Sequence, residues 1–225
     1  SGVMIRIKEV LDCWFESGAM PYAQLHYPFE NKEEFESNFP AQFIAEGLDQ
    51  TRGWFYTLHV LATILFDKPA FQNVIVNGIL LAADGEKLSK RKKNYPDPNK
   101  LFDEKGVDST RMFLYTSTAP LAEDVRFSEM HVDELVKKFT LTLWNTYCFF
   151  VTYANIDNFT PSENPTAPSN KLDKWILSSL NSLTEEVTKN MDDYNLTKAT
   201  RPMLEFVDNL SNWYVRRSRR RFWKS

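Results

Sequence analysis

The chain has 225 residues, of which 43% are hydrophobic and 25% charged, and its formal net charge at pH 7 is −3. These values are ordinary for a globular protein of one or two domains, and no apolar run approaches the roughly 20 residues of a membrane span. Cys13 and Cys148 lack the paired spacing of a metal site or a disulfide framework, which indicates buried thiols in a reducing compartment. We therefore expect a cytoplasmic protein with no membrane partner and no metal site.

The first half of the chain contains a predicted strand–turn–helix junction. Phe43–Ala45 predict a strand, Gly47 breaks it, and Asp49 is typical of a helix N-cap. Four apolar residues then follow at helical spacing, namely Trp54, Leu58, Leu61 and Leu65. In an open parallel α/β sheet such a junction lies at the carboxyl end of a strand, where these folds bind ligands. Glu46, Asp49 and Gln50 could then bind ribose hydroxyls and an ammonium group, unless Asp49 only caps the helix and Glu46 is solvated.

A lysine-rich loop follows a strand-like segment at residues 72–78. Residues 87–91 read Lys-Leu-Ser-Lys-Arg, in a polar loop opened by Asp84-Gly85. Two ammonium groups on a loop can close on a polyphosphate as negative charge builds on it. Most lysine-rich loops are only solvated surface, so the pentapeptide needs support from the rest of the sequence.

The second half of the chain reads as helical, because all seven glycines lie at or before Gly106. We predict a helix over 107–118 ended by Ala119-Pro120, a longer helix opened by Phe127-Ser128, and a loop over 155–170. Three apolar stripes are expected to bury one another as a bundle. Their members are Val132, Val136, Phe139, Leu143, Tyr147 and Phe150, then Leu172, Ile176, Leu180, Leu183, Val187 and Met191, then Leu196, Ala199, Met203, Phe206, Leu210 and Trp213.

The last helix is strongly basic and carries aromatic residues between its arginines. We predict phosphate contacts along a nucleic acid for its five arginines, Arg216, Arg217, Arg219, Arg220 and Arg221. The alternative is a solvated helix whose arginines pair with carboxylates such as Glu185, Glu186, Asp192 and Asp193.

Three segments together resemble the class I aminoacyl-tRNA synthetases, and within them the isoleucyl enzymes of the eukaryote-like type. They are Asp-Cys-Trp-Phe-Glu-Ser-Gly at 12–18, Glu-Gly-Leu-Asp-Gln-Thr-Arg-Gly-Trp-Phe at 46–55 and Lys-Leu-Ser-Lys-Arg at 87–91, in that order. The last is similar to the family's KMSKS signature, with Leu88 for Met and Arg91 for the final Ser. Neither change removes a group that the chemistry needs.

The resemblance implies roles for particular residues. Lys90, and secondarily Lys87, would be catalytic by neutralising the departing pyrophosphate, and Lys90 and Ser89 would bind ATP. The residues that would bind the amino acid or its adenylate are Glu46, Gly47, Asp49, Gln50, Trp14, Trp54, Asn77 and Gly78. Among these, the two tryptophans would line the isoleucine pocket, although plain core packing is the commoner fate of a tryptophan.

The resemblance also implies an activity and a set of partners. ATP with Mg²⁺, isoleucine and tRNA(Ile) are the expected substrates, with no tightly bound cofactor. The family's HIGH signature and its editing insertion are missing, since His26, His59 and His131 lie in no such sequence. The chain therefore resembles a piece that follows the editing insertion, expected to be inactive alone, within a larger monomeric enzyme. An unpaired strand edge and an exposed apolar face would favour self-association of the piece.

The expected fold is α/β followed by all-α. Residues 1–106 would be the C-terminal half of a class I Rossmann-like nucleotide-binding domain, 107–127 a stem-contact segment, and 128–225 the start of a helical anticodon-binding domain. Two rival interpretations remain open. One is a nucleic-acid-binding module that has lost catalysis, and the other is a valyl, leucyl or methionyl relative.

Overall fold

The computed structural model describes residues 2–89, 91–163 and 167–223. The chain divides into two compact units, Ser1–Asn77 and Gly78–Ser225. The first mixes strands and helices and the second is mainly helical, which confirms the predicted change from α/β to all-α. The division lies before the loop of residues 87–91, so this loop belongs to the second unit. The family domain boundaries expected at 106 and 127 stay predictions.

The first unit is a small α/β arrangement. Its elements are α1 Cys13–Gly18, α2 Met20–Ala23, α3 Lys32–Asn38, β1 Ala41–Gly47, a 3₁₀ helix Leu48–Arg52, α4 Trp54–Phe66 and β2 Phe71–Asn77. The two strands confirm the predictions for this region, and a helix follows the turn as predicted, although it begins at Trp54 rather than directly after Asp49.

The strands β1 and β2 pair in parallel, with Ala41 opposite Phe71 and Gly47 opposite Asn77. Helix α4 covers this pair through Leu58 and Ala62, which are almost fully buried. Parallel sheets normally have both faces covered. Here, however, Phe43 is 49% exposed. The sheet of this unit thus carries an exposed apolar side chain at Phe43, and self-association through an exposed face stays a prediction.

Helix α1 packs closely on α4. A side chain at Gly18 would place its Cβ 2.9 Å from Cβ of Thr57, so this approach requires glycine. The contact is fixed by a hydrogen bond of 3.1 Å that Nε1 of Trp54 donates to the carbonyl oxygen of Ser17. The two predicted pocket residues Trp14 and Trp54 are thereby held on adjacent helices.

The second unit is a helical assembly with two very short strands. Its elements are β3 Leu80–Leu81, α5 Pro98–Lys105, α6 Val107–Thr116, a 3₁₀ helix Ala119–Leu121, β4 Val125–Arg126, α7 Glu129–Leu135, a π-helical segment Val136–Thr140, α8 Leu141–Ile156, α9 Lys171–Asp192, α10 Leu196–Asp208, a second π-helical segment Asn209–Val215 and α11 Arg216–Trp223.

The helices lie close to the predicted positions. The helix predicted over 107–118 ends at Thr116, two residues before the expected end. The helix predicted to open at Phe127-Ser128 begins at Glu129, and Ser128 caps it, because its Oγ accepts a hydrogen bond of 3.3 Å from the backbone N–H of Met130. The two π-helical segments were not predicted.

Helix α10 is fixed to the end of α6 by side-chain hydrogen bonds. Nε of Arg201 donates to the carbonyl oxygen of Thr116 at 2.9 Å, and Oγ1 of Thr197 donates to that of Ser117 at 3.0 Å. These donors satisfy carbonyl groups that a helix end leaves without intrahelical partners. Ala199 on α10 and Val132 on α7 are fully buried in this unit.

None of the helices within the described residues is long and apolar enough to cross a membrane.

Candidate functional site

The carboxyl ends of β1 and β2 bring predicted site residues to one edge of the sheet. Glu46 lies opposite Val76, and Gly47 lies opposite Asn77, in the parallel register. This confirms that the predicted strand–turn–helix junction follows the carboxyl end of a parallel strand, the position at which open α/β sheets bind ligands. Glu46 and Asn77 are both exposed there.

Gln50, rather than Asp49, caps α4. Oε1 of Gln50 accepts a hydrogen bond of 2.9 Å from the backbone N–H of Trp54. The predicted N-cap role of Asp49 is wrong, because the helix begins after Gly53 and Asp49 lies in the preceding 3₁₀ helix. Instead, Oδ2 of Asp49 accepts a hydrogen bond of 3.3 Å from Nε2 of Gln50. Asp49 thus keeps an exposed carboxylate oxygen that is not used for capping.

The two tryptophans occupy different surroundings. The indole of Trp14 lies against Gly53 and is 44% exposed. Trp54 is half-buried and lines an apolar cavity of about 490 Å³ together with Phe39, Ile44 and Leu58. Trp14 does not line that cavity, and the shared isoleucine pocket of the two rings stays a prediction.

The loop of residues 87–91 begins as an antiparallel extension of β3. Lys87 bridges Leu81, and the backbone N–H of Ala82 donates to the carbonyl oxygen of Glu86 at 2.8 Å, which closes the turn at Asp84-Gly85. The Lys87 side chain is exposed. Lys90, the principal catalytic candidate, lies outside the described residues.

Asn94 is a functional candidate that the sequence reasoning missed. Its Oδ1 accepts a hydrogen bond of 2.8 Å from the Ser89 N–H, and its Nδ2 donates to the Lys87 carbonyl oxygen at 3.1 Å. Oγ of Ser89 accepts from the Lys92 N–H at 3.4 Å. The available signal was an amide residue shortly after the lysine-rich pentapeptide.

A second link across the loop is ionic. Nζ of Lys92 contacts Oε2 of Glu86, and both side chains are more than half exposed. The hydrogen bond to Glu86 raises the pKa of the Lys92 ammonium, so this lysine stays charged.

Gly78, predicted to bind the adenylate, also allows two segments of the chain to pack closely. Its N–H donates to the carbonyl oxygen of Ala119 at 2.8 Å, and a Cβ there would collide with the Glu123 backbone. Oδ1 of Asp124 accepts from the Ile79 N–H at 3.1 Å. The glycine therefore lets the chain approach the segment before β4.

Three of the five arginines of α11 have described partners, among them Arg219, whose guanidinium lies 6.0 Å from the ring centroid of Phe149. Arg221 is paired with Asp173 on α9, with Nη2 to Oδ2 at 2.8 Å, and Asp173 also accepts from the Tyr214 hydroxyl at 3.0 Å. The guanidinium of Arg217 lies 3.9 Å from the ring centroid of Trp213. Arg216 and Arg220, four residues apart, are exposed on one face of the helix.

The Arg221 ion pair involves a different carboxylate from those that the sequence suggested. The carboxylate that pairs with this arginine belongs to Asp173, and not to the predicted group at 185–186 and 192–193. The Arg221 guanidinium holds the pKa of the Asp173 carboxyl below its usual range. Burial, followed by the hydrogen bond to Asp173, raises the pKa of the Tyr214 hydroxyl.

Within the described ranges, no group of three or more His, Cys, Asp or Glu side chains is arranged to hold a metal ion.

Comparison with known families decides the family. Residues 1–128 match the family described as tRNA synthetases class I (I, L, M and V). The chain belongs to this class I synthetase family. Residues 173–225 match a second family, the anticodon-binding domain of tRNA ligase. The description of the first family covers the class I synthetases for isoleucine, leucine, methionine and valine.

Similar curated class I synthetases include three bacterial isoleucine–tRNA ligases. The chain is 57% identical over 218 residues to that of Protochlamydia amoebophila, covering 97% of this chain and 21% of the relative. It is 54% identical over 237 residues to that of Treponema denticola, covering 100% and 22%. It is 56% identical over 220 residues to that of Chlamydia muridarum, covering 98% of this chain and 21% of the relative. The chain thus spans about a fifth of the length of these relatives.

Solved class I synthetase structures share the fold. The LeuRS–tRNA–LeuAMS ternary complex from Agrobacterium radiobacter K84 matches with a TM-score of 0.72 and 16% identity, covering 88% of this chain and 26% of the LeuRS. Methionyl-tRNA synthetase from Mycobacterium tuberculosis, in complex with methionyl-adenylate, matches with a TM-score of 0.70 and 23% identity, covering 88% and 38%.

Proposed function

We propose that this chain is part of an isoleucine–tRNA ligase, which activates isoleucine with ATP and transfers it to tRNA(Ile). The observation that carries the proposal is the strand–turn–helix junction, where Glu46, Gly47 and Asn77 lie at one sheet edge. The identity of 51–57% to isoleucine–tRNA ligases over nearly the whole chain supports isoleucine as the amino acid.

The first step of this reaction places particular demands on the protein. The carboxylate of isoleucine attacks the α-phosphate of ATP in line, the new oxygen–phosphorus bond forms, and pyrophosphate leaves with the electron pair of the broken bond. Catalysis of such a step is mainly positioning and electrostatic stabilisation. ATP brings its Mg²⁺ as part of the substrate, so the reaction calls for no resident cofactor.

The lysines of the loop would stabilise the charge that grows on the pyrophosphate. Lys90 is assigned the main role and Lys87 a secondary one, with Ser89 in the ATP-binding loop. The exposure of the Lys87 side chain supports this assignment, because an ammonium group must be free to reach a phosphate. Losing one such group typically lowers the rate about 100- to 1000-fold.

The junction would bind the rest of the adenylate. Glu46 and Asp49 offer carboxylate oxygens to ribose hydroxyls and to the ammonium group of isoleucine. Gln50 positions Asp49 through its hydrogen bond of 3.3 Å and retains a second N–H for a ligand. The half-buried Trp54 and the exposed Trp14 are assigned to the isoleucine side chain, whose branched alkyl group suits an aromatic face.

The second unit would contact tRNA(Ile). We assign 107–127 to a stem-contact segment and 128–225 to the start of the anticodon-binding domain, after a nucleotide-binding part over 1–106. Arg216 and Arg220 are the strongest candidates for phosphate contacts, because the other three arginines of α11 have an ion-pair or aromatic partner within the described residues. We further assign the ligase to the cytoplasm, as a monomer, and expect the isolated piece to be inactive and to self-associate through its exposed sheet face.

A valyl, leucyl or methionyl relative remains the alternative within the family. The family description covers all four amino acids, so a class I match does not choose among them. A one-methylene difference in an apolar pocket is worth only about 1–3 kcal/mol, so weak activation of valine is expected from an isoleucine enzyme.

The proposal is tested by removing Lys90 from the intact protein. Lys90→Ala is expected to slow isoleucine-dependent ATP–pyrophosphate exchange by about 100- to 1000-fold while leaving the KM for isoleucine within twofold. Lys93→Ala is the matched control, since it removes the same charge from an exposed position in the same loop. Near-normal exchange by Lys90→Ala, or equal losses in both variants, would refute the assigned role.

A further inference from the structure

The loop of residues 87–91 is held by one side chain that lies outside the pentapeptide. Oδ1 of Asn94 accepts from the Ser89 N–H at 2.8 Å, and Nδ2 of Asn94 donates to the Lys87 carbonyl oxygen at 3.1 Å. One carboxamide therefore supplies a donor and an acceptor to two backbone groups on either side of Leu88.

This arrangement completes the pairing of an extended segment. In extended backbone, the N–H and C=O groups of alternate residues face the same side. Glu86 faces β3, where its carbonyl oxygen accepts from the Ala82 N–H at 2.8 Å. Lys87 and Ser89 face the opposite side, where Asn94 takes the place of a neighbouring strand. The segment is thus held along both of its edges.

The side chain of Leu88 gives the segment a third attachment. It lines an apolar cavity of about 220 Å³ together with Leu80, Tyr95 and Leu101. Because side chains alternate along extended backbone, those of Lys87 and Ser89 project away from the side that Leu88 occupies. Lys87 is exposed and Leu88 is half-buried, as this alternation requires, while Ser89 is half-buried beside the Asn94 carboxamide.

The chain that leaves the segment is turned back toward it. The N–H of Lys93 donates to the carbonyl oxygen of Ser89 at 2.9 Å, which brings the backbone just before Asn94 back to Ser89. The carboxamide thereby joins the start of the lysine-rich loop to its end. The exposed Glu86–Lys92 ion pair spans the same loop but contributes less, since both groups are well solvated.

We propose that Asn94 is a positioning residue for the phosphate-binding loop, fixing its backbone so that the loop lysines meet the leaving pyrophosphate. The expected effect of Asn94 on the reaction rate rests on the proposed function. Its expected effect on the loop backbone does not. Asn94 touches no reacting atom. It acts through the backbone of Lys87 and Ser89.

The kinetic test compares three variants of the intact protein. Asn94→Ala removes both hydrogen bonds, and Asn94→Asp keeps the acceptor for Ser89 but loses the donor to Lys87. Asn99→Ala is the matched control, because Asn99 is exposed on α5 and its side chain makes no hydrogen bond to the described residues, while its backbone N–H donates to Asp97. We expect kcat for isoleucine-dependent pyrophosphate exchange to fall 10- to 100-fold in Asn94→Ala and by less in Asn94→Asp, with KM for isoleucine within twofold.

A second readout follows the loop without any catalysis. Trypsin cleaves after lysine and arginine, and residues 87–93 offer five such positions, namely Lys87, Lys90, Arg91, Lys92 and Lys93. Loss of the two Asn94 hydrogen bonds is expected to raise the rate of cleavage at these positions at least fivefold in Asn94→Ala, with no change in Asn99→Ala. Mass spectrometry of early digests identifies the cleaved bonds, and the melting temperature should stay within about 2 °C of wild type.

The outcomes separate this inference from the proposed function. Unchanged loop cleavage in Asn94→Ala overturns the inference, and so does a fall in kcat that is matched by a general loss of stability. If the wild-type protein exchanges with no amino acid, the proposed function fails. The trypsin comparison still decides whether Asn94 holds the loop.

Discussion

The side-chain oxygen of Gln50 accepts a hydrogen bond of 2.9 Å from the backbone N–H of Trp54. The same carboxamide donates to Asp49 at 3.3 Å. Gln50 therefore does two things at once, because it caps α4 and orients the carboxylate that we assign to the adenylate.

These two roles can be separated by substitution in the intact protein. Gln50→Glu keeps the acceptor for the Trp54 N–H but loses the donor to Asp49 and places a second carboxylate beside it. We expect slow hydrogen exchange at the Trp54 amide, as in wild type, together with a raised KM for isoleucine. Gln50→Ala should lose both the bond to the Trp54 N–H and the bond to Asp49. The first turn of α4 should then have about 1 kcal/mol less protection from hydrogen exchange.

Gln42→Glu provides the control for an added charge, because Gln42 is exposed on β1. Equal exchange of the Trp54 amide in Gln50→Glu and Gln50→Ala would show that the capping bond does not protect α4.

Gly78→Ala tests whether this glycine serves packing. Its new Cβ would collide with the Glu123 backbone, which cannot move aside as a flexible side chain does. We expect a loss of about 1–3 kcal/mol in stability, seen as faster hydrogen exchange around β3 and β4. Gly2→Ala is the control, since nothing lies within 4 Å of that position. A raised KM for ATP with unchanged exchange would instead indicate contact with the adenosine.

The Asp173–Arg221 pair predicts a pH dependence for α11. The pKa of Asp173 is lowered in the folded chain, so its carboxylate stabilises the fold above the unfolded value of about 4. That contribution is lost as the pH falls below this value and through the folded pKa. Asp173→Asn should therefore speed exchange of the α11 amides roughly fivefold at pH 7, or about 1 kcal/mol, because Arg221 is half exposed.

The measurement is the ratio of exchange rates between variant and wild type at pH 7, pH 5 and pH 3. The ratio should stay constant from pH 7 to pH 5 and fall progressively once the pH drops below about 4. A ratio that does not change over the whole range would show that the Asp173 charge does not stabilise α11.

Tests of tRNA binding should distinguish the arginines of α11. Arg216→Ala and Arg220→Ala are each expected to weaken binding of tRNA(Ile) and to reduce the slope of log affinity against log salt by about one. Arg221→Ala should leave that slope unchanged, because its guanidinium is committed to Asp173. A slope unchanged in all three variants would exclude α11 from the phosphate contacts.

Regular elements were predictable because their signals are local. The strand at Phe43–Ala45 and the helix from Trp54 follow from runs and periods that one segment contains. The carboxyl-end position of Glu46 followed as well, since a parallel strand pair fixes which ends meet. The start of the helix after Phe127-Ser128 was predictable for the same local reason.

The errors concern contacts that depend on geometry between segments. Asp49 has the right chemistry for an N-cap, but an intervening 3₁₀ helix delays the start of α4 and gives the capping bond to Gln50. The choice of Asp173 by Arg221 depends on how α9 and α11 pack. Asn94 was missed because a side chain that binds backbone groups leaves no charge pattern in the sequence.

The central claim is tested most directly by ATP–pyrophosphate exchange with the intact protein, given isoleucine, valine, leucine and methionine one at a time. The 225-residue chain is assayed alongside. We predict exchange with isoleucine, weaker exchange with valine, and none by the 225-residue chain alone. Exchange led by another of the four amino acids would contradict the assignment to isoleucine. Exchange with none of them would contradict the ligase itself and leave tRNA binding through α11 as the remaining account.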